Sequence, residues 1–295
     1  MKILLTGATG FLGRAILKEL SSIRVITLSR NSAEINTDLT TGNVELPKVT
    51  AVIHAAGKAH IVPKTKKERE EFSRVNVIGT QNLLSSLEAN LPESFIFISS
   101  VSVYGRTEGN FISELEPLNA NDAYGLSKIH AEALVQSWCL RNDVKLSILR
   151  LPLLVGISPP GNLGSMIKAI RNGYYVNIAG GKARKSMVAA QDVACIIPKA
   201  IQVGGIYNLT DGYHPSVSEL SHHIAIQFGI KKLFNVPLWV ARILAKTGDL
   251  LGRKSPFNSN KLHKLTANLT FDDSKARREL GWAPKPVVEN SISHD

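Results

Sequence analysis

KILLTGATGFLG, residues 2–13, sets an apolar run directly before a turn that carries Gly7, Gly10 and Gly13. The run reads as a buried strand over 2–6, and a helical pattern follows over 12–20. Such a turn needs a residue free of the Cβ penalty, and a pyrophosphate laid on it must approach the backbone closely. Gly13 allows helix and strand to pack, and the helix N-terminus offers amide donors and its dipole to phosphate. Glycines that follow a first strand and open a helix predict a dinucleotide-binding turn, with a ligand-free tight turn as the alternative. The spacing is GxxGxxG, not GxGxxG.

Working outward, strand-like runs at 24–28, 50–54, 95–99 and 145–150 alternate with helical patterns at 68–89 and 124–139. Strands separated by helices need crossovers, which predicts a parallel sheet covered on both faces. Beyond Pro152 the pattern weakens, and Pro159, Pro160, Gly161 and Gly164 mark an irregular connection. Helices are expected at 163–171, 217–228, 236–251 and 274–280, with short strands between them. The fold class is therefore α/β: a doubly wound parallel sheet with a smaller, mostly helical C-terminal substrate domain. The expected division is 1–156 for the dinucleotide domain, with a return near 186–211, and 157–295 for a lid over the carboxyl edge of the sheet.

The chain has 295 residues, 44% hydrophobic and 20% charged, the composition of an ordinary globular protein rather than a disordered or fibrous one. Its first apolar run is too short for a signal peptide, and no stretch reaches the ~18 apolar residues of a membrane span. The net charge of +11 could serve nucleic acid, acidic lipid or an anionic substrate. Basic residues are spread along the chain without interleaved aromatics, so nucleic acid is not expected. Cys139 and Cys195 read as reduced core thiols of a cytoplasmic protein. The histidines show no ligand spacing and imply no metal; the adjacent His222 and His223 read as solvated or capping. KTKKEREE, 64–71, reads as a solvated helical face.

An acid about 20 residues beyond the glycine turn normally accepts the ribose 2′-hydroxyl of NAD. Here the second strand ends in Leu28-Ser29-Arg30-Asn31, with no acid until Glu34. Ser29 and Arg30 suit a 2′-phosphate and hence NADP, with NAD as the alternative if Arg30 is merely a surface side chain. YGLSK places Tyr124 and Lys128 at i and i+4 of a helix, on one face. A nearby ammonium can lower a phenol from its usual value of about 10 towards working pH. The strand at 95–99 runs out into Ser99-Ser100-Val101-Ser102-Val103-Tyr104-Gly105, whose hydroxyls face the crevice where an open α/β sheet binds ligands.

These motifs together resemble the extended short-chain dehydrogenases/reductases, specifically the NAD-dependent epimerase/dehydratase group that modifies nucleotide sugars, a Rossmann-type fold. The resemblance rests on TGATGFLG (6–13), VIHAAG (52–57), VNVIGTQNLL (75–84), ISSVSVYG (98–105) and YGLSK (124–128). LRLPLLVG (149–156), ARKSMVAAQDVA (183–194) and DDSKARRELGWAP (272–284) extend it over nearly the whole chain. It implies that Tyr124 is the general acid/base, that Lys128 holds the nicotinamide ribose and tunes the tyrosine, and that Ser100 bonds the reacting oxygen, with Ser102 as an alternative. It implies a cofactor site of Gly7, Thr9, Gly10, Phe11, Leu12, Gly13, Ser29, Arg30, Asp38, Leu39, Ala55, Ala56, Gly57 and Pro152, with Tyr124 and Lys128. Asp38-Leu39 would read the adenine edge. Arg184 and Lys185 would clamp the sugar diphosphate, and Asn162 would join them on the substrate. Many NAD-retaining epimerases carry Asp where this chain has Ser29-Arg30, and Ala190-Gln191-Asp192 replaces the common V-D-D.

The expected activity is hydride transfer at C4 of a hexose carried on a nucleoside diphosphate, most readily UDP. A 4-ketosugar reductase and a 4-epimerase share that half-reaction, and Ser29-Arg30 favours the reductase. A reductase of a non-sugar ketone is opposed by Arg184 and Lys185; a catalytically dead sensor is opposed by intact Ser100, Tyr124 and Lys128. The resemblance also implies polysaccharide-related metabolism and a homodimer paired through the helices at 68–89 and 124–139, the latter offering Leu134, Val135 and Trp138. The helix at 236–251 carries Leu238, Trp239, Ile243, Leu244, Leu250 and Leu251 beside Arg242, Lys246 and Arg253. That pattern fits an interfacial membrane helix or a lid helix packed on its neighbours; packing is the expectation.

Overall fold

A computed structural model describes residues 1–59, 61–251 and 257–289. The first half alternates β1 (Lys2–Thr6), α1 (Phe11–Glu19), β2 (Arg24–Ser29), β3 (Ile35–Asn36), β4 (Ala51–His54), α2 (Lys66–Ser73), α3 (Gly79–Leu87) and β5 (Ser94–Ser100). It continues through β6 (Gly109–Ile112), α4 (Ala123–Arg141), β7 (Lys145–Leu151), β8 (Leu153–Val155), α5 (Gly161–Arg171) and β9 (Val176–Ile178). Then come β10 (Met187–Ala189), α6 (Ala190–Val203), β11 (Gly205–Asn208), α7 (Val217–Gln227), β12 (Phe234–Val236) and α8 (Leu238–Leu250). Last are α9 (Ser259–Thr266), β13 (Leu269–Phe271) and α10 (Ser274–Leu280).

The central sheet has seven parallel strands in the order β11-β7-β5-β4-β1-β2-β3. Alternation along each strand distributes its side chains to two cores. Ile3, Leu5, Ile53, Ile96 and Leu149 face Leu12 and Ile16 of α1, Val193 and Ile197 of α6, and Leu280 of α10. Leu4, Val52, Phe95, Phe97 and Ile148 face Leu83 and Leu87 of α3 and Val135 and Trp138 of α4. Because both faces are covered, the inner strands β1, β4 and β5 are buried almost continuously, whereas β2 towards the sheet edge alternates. The chain leaves the sheet after β7 and returns at β11. Around α5 and α7 a separate core forms from Leu163, Ile167, Ile170, Leu220 and Ile224.

Four expectations need correction. The single helix at 68–89 is two helices joined by a π turn, Arg74–Ile78, entered through a Thr65–Glu68 capping box. Cys195 is exposed while Cys139 is buried; α6 turns Ala194 and Ile197 to the sheet, so Cys195 falls outside that stripe. Val135 and Trp138 are core residues, 0% and 3% exposed, and offer nothing to a dimer partner. Helix α8 does pack on α9, through Ala241, Ala245 and half-buried Leu238, but Trp239, Ile243, Leu244, Leu250 and Leu251 are exposed rather than part of that contact. Arg253, assigned to that helix's basic face, lies outside the described residues. No helix among the described residues is long and apolar enough to cross a membrane.

Candidate active site

The glycine turn opens a cleft of about 380 Å³ at the carboxyl ends of the strands. Gly7 adopts φ +71°, and a Cβ there would stand 2.6 Å from the Ala56 nitrogen. A Cβ on Gly13 would collide with the Gly7 carbonyl, so helix and strand touch as the motif requires. The N-cap of α1, Gly10, supplies no side-chain acceptor, and no acid occupies the first turn. The amides and dipole there remain available to an anion, so the residues present fit a dinucleotide phosphate.

Of the sequence-predicted cofactor residues, Gly7, Thr9, Gly10, Ser29, Arg30, Asp38, Leu39, Ala55, Ala56 and Gly57 line the cleft. Thr9 and Ser29 pair hydroxyls at 3.1 Å. Asp38 accepts the Thr40 amide at 2.9 Å. That bond first, then the Arg30 and Arg74 charges, hold its carboxyl below the usual range against the opposing effect of burial. Gly13 is outside the lining. Leu12 is buried in the core, Phe11 packs against the same core, and Pro152 sits between β7 and β8. The helical twist of α1 turns the Leu12 side chain to the sheet, which leaves the first-turn amides, not the side chains, for an anion.

The structure adds residues that sequence reasoning missed. Arg74 lines the cleft, paired to Glu71 at 2.8 Å and to Thr40 Oγ1 at 2.8 Å. The π turn brings Asn76 inward: its Oδ1 accepts the Lys58 amide at 2.7 Å, and its Nδ2 donates to the Lys58 carbonyl at 3.0 Å and Ser127 Oγ at 2.8 Å. The available signal was VNVIGT, since a widened helical turn recurs at functional sites. His54 is buried beneath the cleft between Thr6 Oγ1 at 2.6 Å and Thr80 Oγ1 at 2.9 Å. The Thr80 hydroxyl donates to the Asn76 carbonyl, so it accepts from His54 Nε2–H, leaving Nδ1 to accept from Thr6. Burial first, then the Lys128 charge, holds this imidazole neutral, with its pKa down to about 3.

Ser100, Tyr124 and Lys128 meet beside this cleft. Ser100 ends β5; its Oγ accepts the Ser102 amide at 3.1 Å and donates to Ser102 Oγ at 3.1 Å. Asp122 caps α4 through the Tyr124 and Gly125 amides, both at 3.1 Å. A Cβ on Gly125 would collide with the Ala120 Cβ and stand 2.8 Å from the Ser102 carbonyl, so α4 begins hard against the segment after β5. Burial raises the Tyr124 phenol above its ordinary value, a bond with Ser100 opposes this, and the Asp122 charge adds to it. The Lys128 ammonium donates to the Ile98 carbonyl at 2.8 Å and lies 4.8 Å from the Phe97 ring centre. It stands 3.5 Å from where a Gly57 Cβ would be. Burial lowers it to about 8, with Glu132 opposing. The expected lowering of the phenol by Lys128 is therefore not found: both share one helix face, but the ammonium is held by a backbone carbonyl.

Behind the site lies a buried chain of polar groups. Glu132, one turn beyond Lys128, accepts from Ser99 Oγ at 2.5 Å and from Arg150 Nε and Nη2 at 3.1 and 2.7 Å. Arg150 Nη1 donates to the Tyr104 hydroxyl at 3.1 Å, which donates to Asn208 Oδ1 at 2.7 Å. This network ties α4, β5, β7 and β11 together where Ser100 and Tyr124 must be held.

Arg184 and Lys185, expected on the substrate diphosphate, do not line the dinucleotide cleft. Arg184 donates to the His214 carbonyl at 3.0 Å and lies 3.8 Å from Glu219. Lys185 donates to the Lys264 and Ala267 carbonyls at 3.0 and 2.7 Å, at the end of α9. Asn162 is exposed in the first turn of α5. Ser102 stays beside Ser100. Among the described residues no group of His, Cys, Asp and Glu gathers to hold a metal ion.

Comparison with known proteins agrees with this fold. The chain is 28% identical to UDP-glucose 4-epimerase of Vibrio cholerae, over 98% of this chain and 93% of that one. It is 26% identical, over 96% and 90% respectively, to N-acetyl-α-D-glucosaminyl-diphospho-ditrans,octacis-undecaprenol 4-epimerase of Escherichia coli O157:H7. The fold matches the crystal structure of Thermotoga maritima UDP-glucose 4-epimerase with UDP-glucose at a TM-score of 0.77 and 21% identity, covering 99% of this chain and 96% of that one. The model of the NAD dependent epimerase/dehydratase family matches residues 3–210, and the chain is a member of that family.

Proposed function

We propose that the protein reduces the 4-keto group of a hexose carried on a nucleoside diphosphate, most readily UDP, with NADP(H). The observation that carries this reading is the meeting of Ser100, Tyr124 and Lys128 beside the glycine-turn cleft. A bound nicotinamide supplies the two-electron donor or acceptor. Ser100 orients the C4 oxygen of the sugar by a hydrogen bond. The Tyr124 phenol, held protonated by its burial, gives that oxygen its proton as the ketone is reduced. Lys128 remains largely an ammonium below about pH 8 and, beside Gly57 at the edge of the cleft, is the group to hold the nicotinamide ribose. Ser29 and Arg30, with no acid to accept a ribose 2′-hydroxyl, support the reductase over the NAD-retaining epimerase.

Arg30 at the cleft is the group suited to a 2′-phosphate. Residues 1–156, with a return near 186–211, form the dinucleotide part in this reading; 157–295 cover the sugar, and Arg184 and Lys185 must release their carbonyls to reach it. The 4-epimerase is the second reading, favoured by the Vibrio relative. A sugar on a polyprenyl diphosphate is a variant of the substrate, favoured by the Escherichia coli relative. We place the enzyme in the cytoplasm, consistent with its unpaired thiols, and expect a homodimer.

The test is direct. Purified protein is incubated with NADPH and a UDP-4-ketohexose, and separately with UDP-hexoses and NAD. Reduction to one C4 alcohol supports the reductase; interconversion of the two C4 alcohols with no net change in dinucleotide assigns the epimerase instead.

A further inference from the structure

Helix α8 turns its smallest residues inward and its largest outward. Ala241, Ala245 and Gly248 are buried. Trp239, Ile243, Leu244, Leu250 and Leu251 are 66, 55, 54, 88 and 70% exposed. At about 100° per residue, Trp239, Ile243 and Leu250 fall within roughly 40° of one another, with Lys246 on the same line and Arg242 beside it. Lys231, Lys232 and Phe234, just upstream, are also exposed. Residues 231–251 carry four cations and one carboxylate, Asp249, and that carboxylate is tied to Ser259 at 2.5 and 3.1 Å. A helix packed into a lid core would bury its tryptophan and leucines. One that buries alanine and glycine, and presents tryptophan and aliphatics among cations, is built to lie in a lipid–water interface. The chain's +11 charge is complementary to an anionic surface.

We propose that the outer face of α8 docks on an anionic lipid bilayer, with Trp239, Ile243 and Leu250 entering the headgroup boundary and Arg242 and Lys246 meeting the lipid phosphates. Helix α9 packs on the inner side of α8 and holds Lys185 through its terminal carbonyls, so the docking helix and the expected clamp belong to one helix pair. The proposal goes beyond the reaction assigned above and does not depend on which sugar is turned over.

The experiment is flotation of the full chain with vesicles of phosphatidylethanolamine and phosphatidylglycerol in equal parts, against phosphatidylcholine alone. Wild type is expected to float with the anionic vesicles and less so as salt rises. Arg242→Glu and Lys246→Glu should each weaken partition by at least about fivefold. Trp239→Ser with Ile243→Ser and Leu250→Ser should weaken it by at least about a hundredfold, while retaining wild-type turnover of a soluble nucleotide sugar and a wild-type melting temperature. Trp138 and Trp282 are buried, so a blue shift of tryptophan emission on binding reports Trp239; Trp239→Phe should keep binding and lose the shift. Absence of wild-type binding to anionic vesicles, or equal binding by the triple variant, overturns the proposal. So does a concentration-dependent dimer that the triple variant abolishes, because a second copy of the chain would then cover this face.

Discussion

Glu132→Gln perturbs the site without touching the cleft. The Glu132 carboxylate has 0% exposure and accepts three hydrogen bonds, two from Arg150, itself 4% exposed. Neutralising it leaves the Arg150 guanidinium buried without its counter-ion, a loss of about 3–5 kcal/mol when one partner of such a pair is removed. That is a large share of a typical domain's 5–15 kcal/mol, so the urea midpoint should fall steeply with little change in slope. Adding Arg150→Met removes the stranded charge and should restore more than half of the loss. A second readout separates positioning from bulk stability. Glu132 favours the ammonium of Lys128, whose pKa already lies near 8, so its loss should move the alkaline limb of kcat/KM to lower pH. The assays are urea melts of wild type, single and double variants, and pH–rate profiles from pH 6 to 10. A cost below about 1 kcal/mol, or an alkaline limb that does not move, would refute the reasoning.

Two further predictions follow from the cleft. His54 is neutral in the fold, with a pKa of about 3 against 6.5 when unfolded, so its contribution is fully present above pH 6.5 and disappears as pH falls towards 3. Wild type should lose about 3 kcal/mol from this group between pH 7 and 4, and His54→Gln should flatten that acid limb in denaturation series; an unchanged limb counts against it. Arg30→Ala should weaken NADPH binding by about ten- to a hundredfold and leave NADH within about twofold; titration at fixed ionic strength decides, and equal loss for both dinucleotides sinks the assignment.

The glycine turn, the order of the long elements and the shared helix face of Tyr124 and Lys128 were legible because each is fixed by local rules, whereas Ser100 came only through the family resemblance. Gly7 needs positive φ, i and i+4 share a helix face, and apolar runs separated by helices must cross over. What sequence could not give is where long side chains end. Lys128 reaches the Ile98 carbonyl rather than Tyr124, and Lys185 reaches the end of α9, because those acceptors come from segments distant in sequence. The π turn at Arg74–Ile78 breaks no apolar period, so the VNVIGT motif was read as plain helix and Asn76 and Arg74 went unassigned. For α8 the sequence left an interfacial and a packed helix open, because its apolar residues look like core until the buried alanines show which side packs.

The account stands on Tyr124 as the proton donor at the substrate oxygen, and a single-turnover comparison of wild type with Tyr124→Phe tests it most directly. NADPH oxidation by a UDP-4-ketohexose is followed in a stopped-flow instrument, with NADPH affinity measured separately by fluorescence. The expected result is a fall in rate of at least about a hundredfold with NADPH affinity kept within about twofold. A Tyr124→Phe enzyme that turns over at the wild-type rate would contradict the assignment.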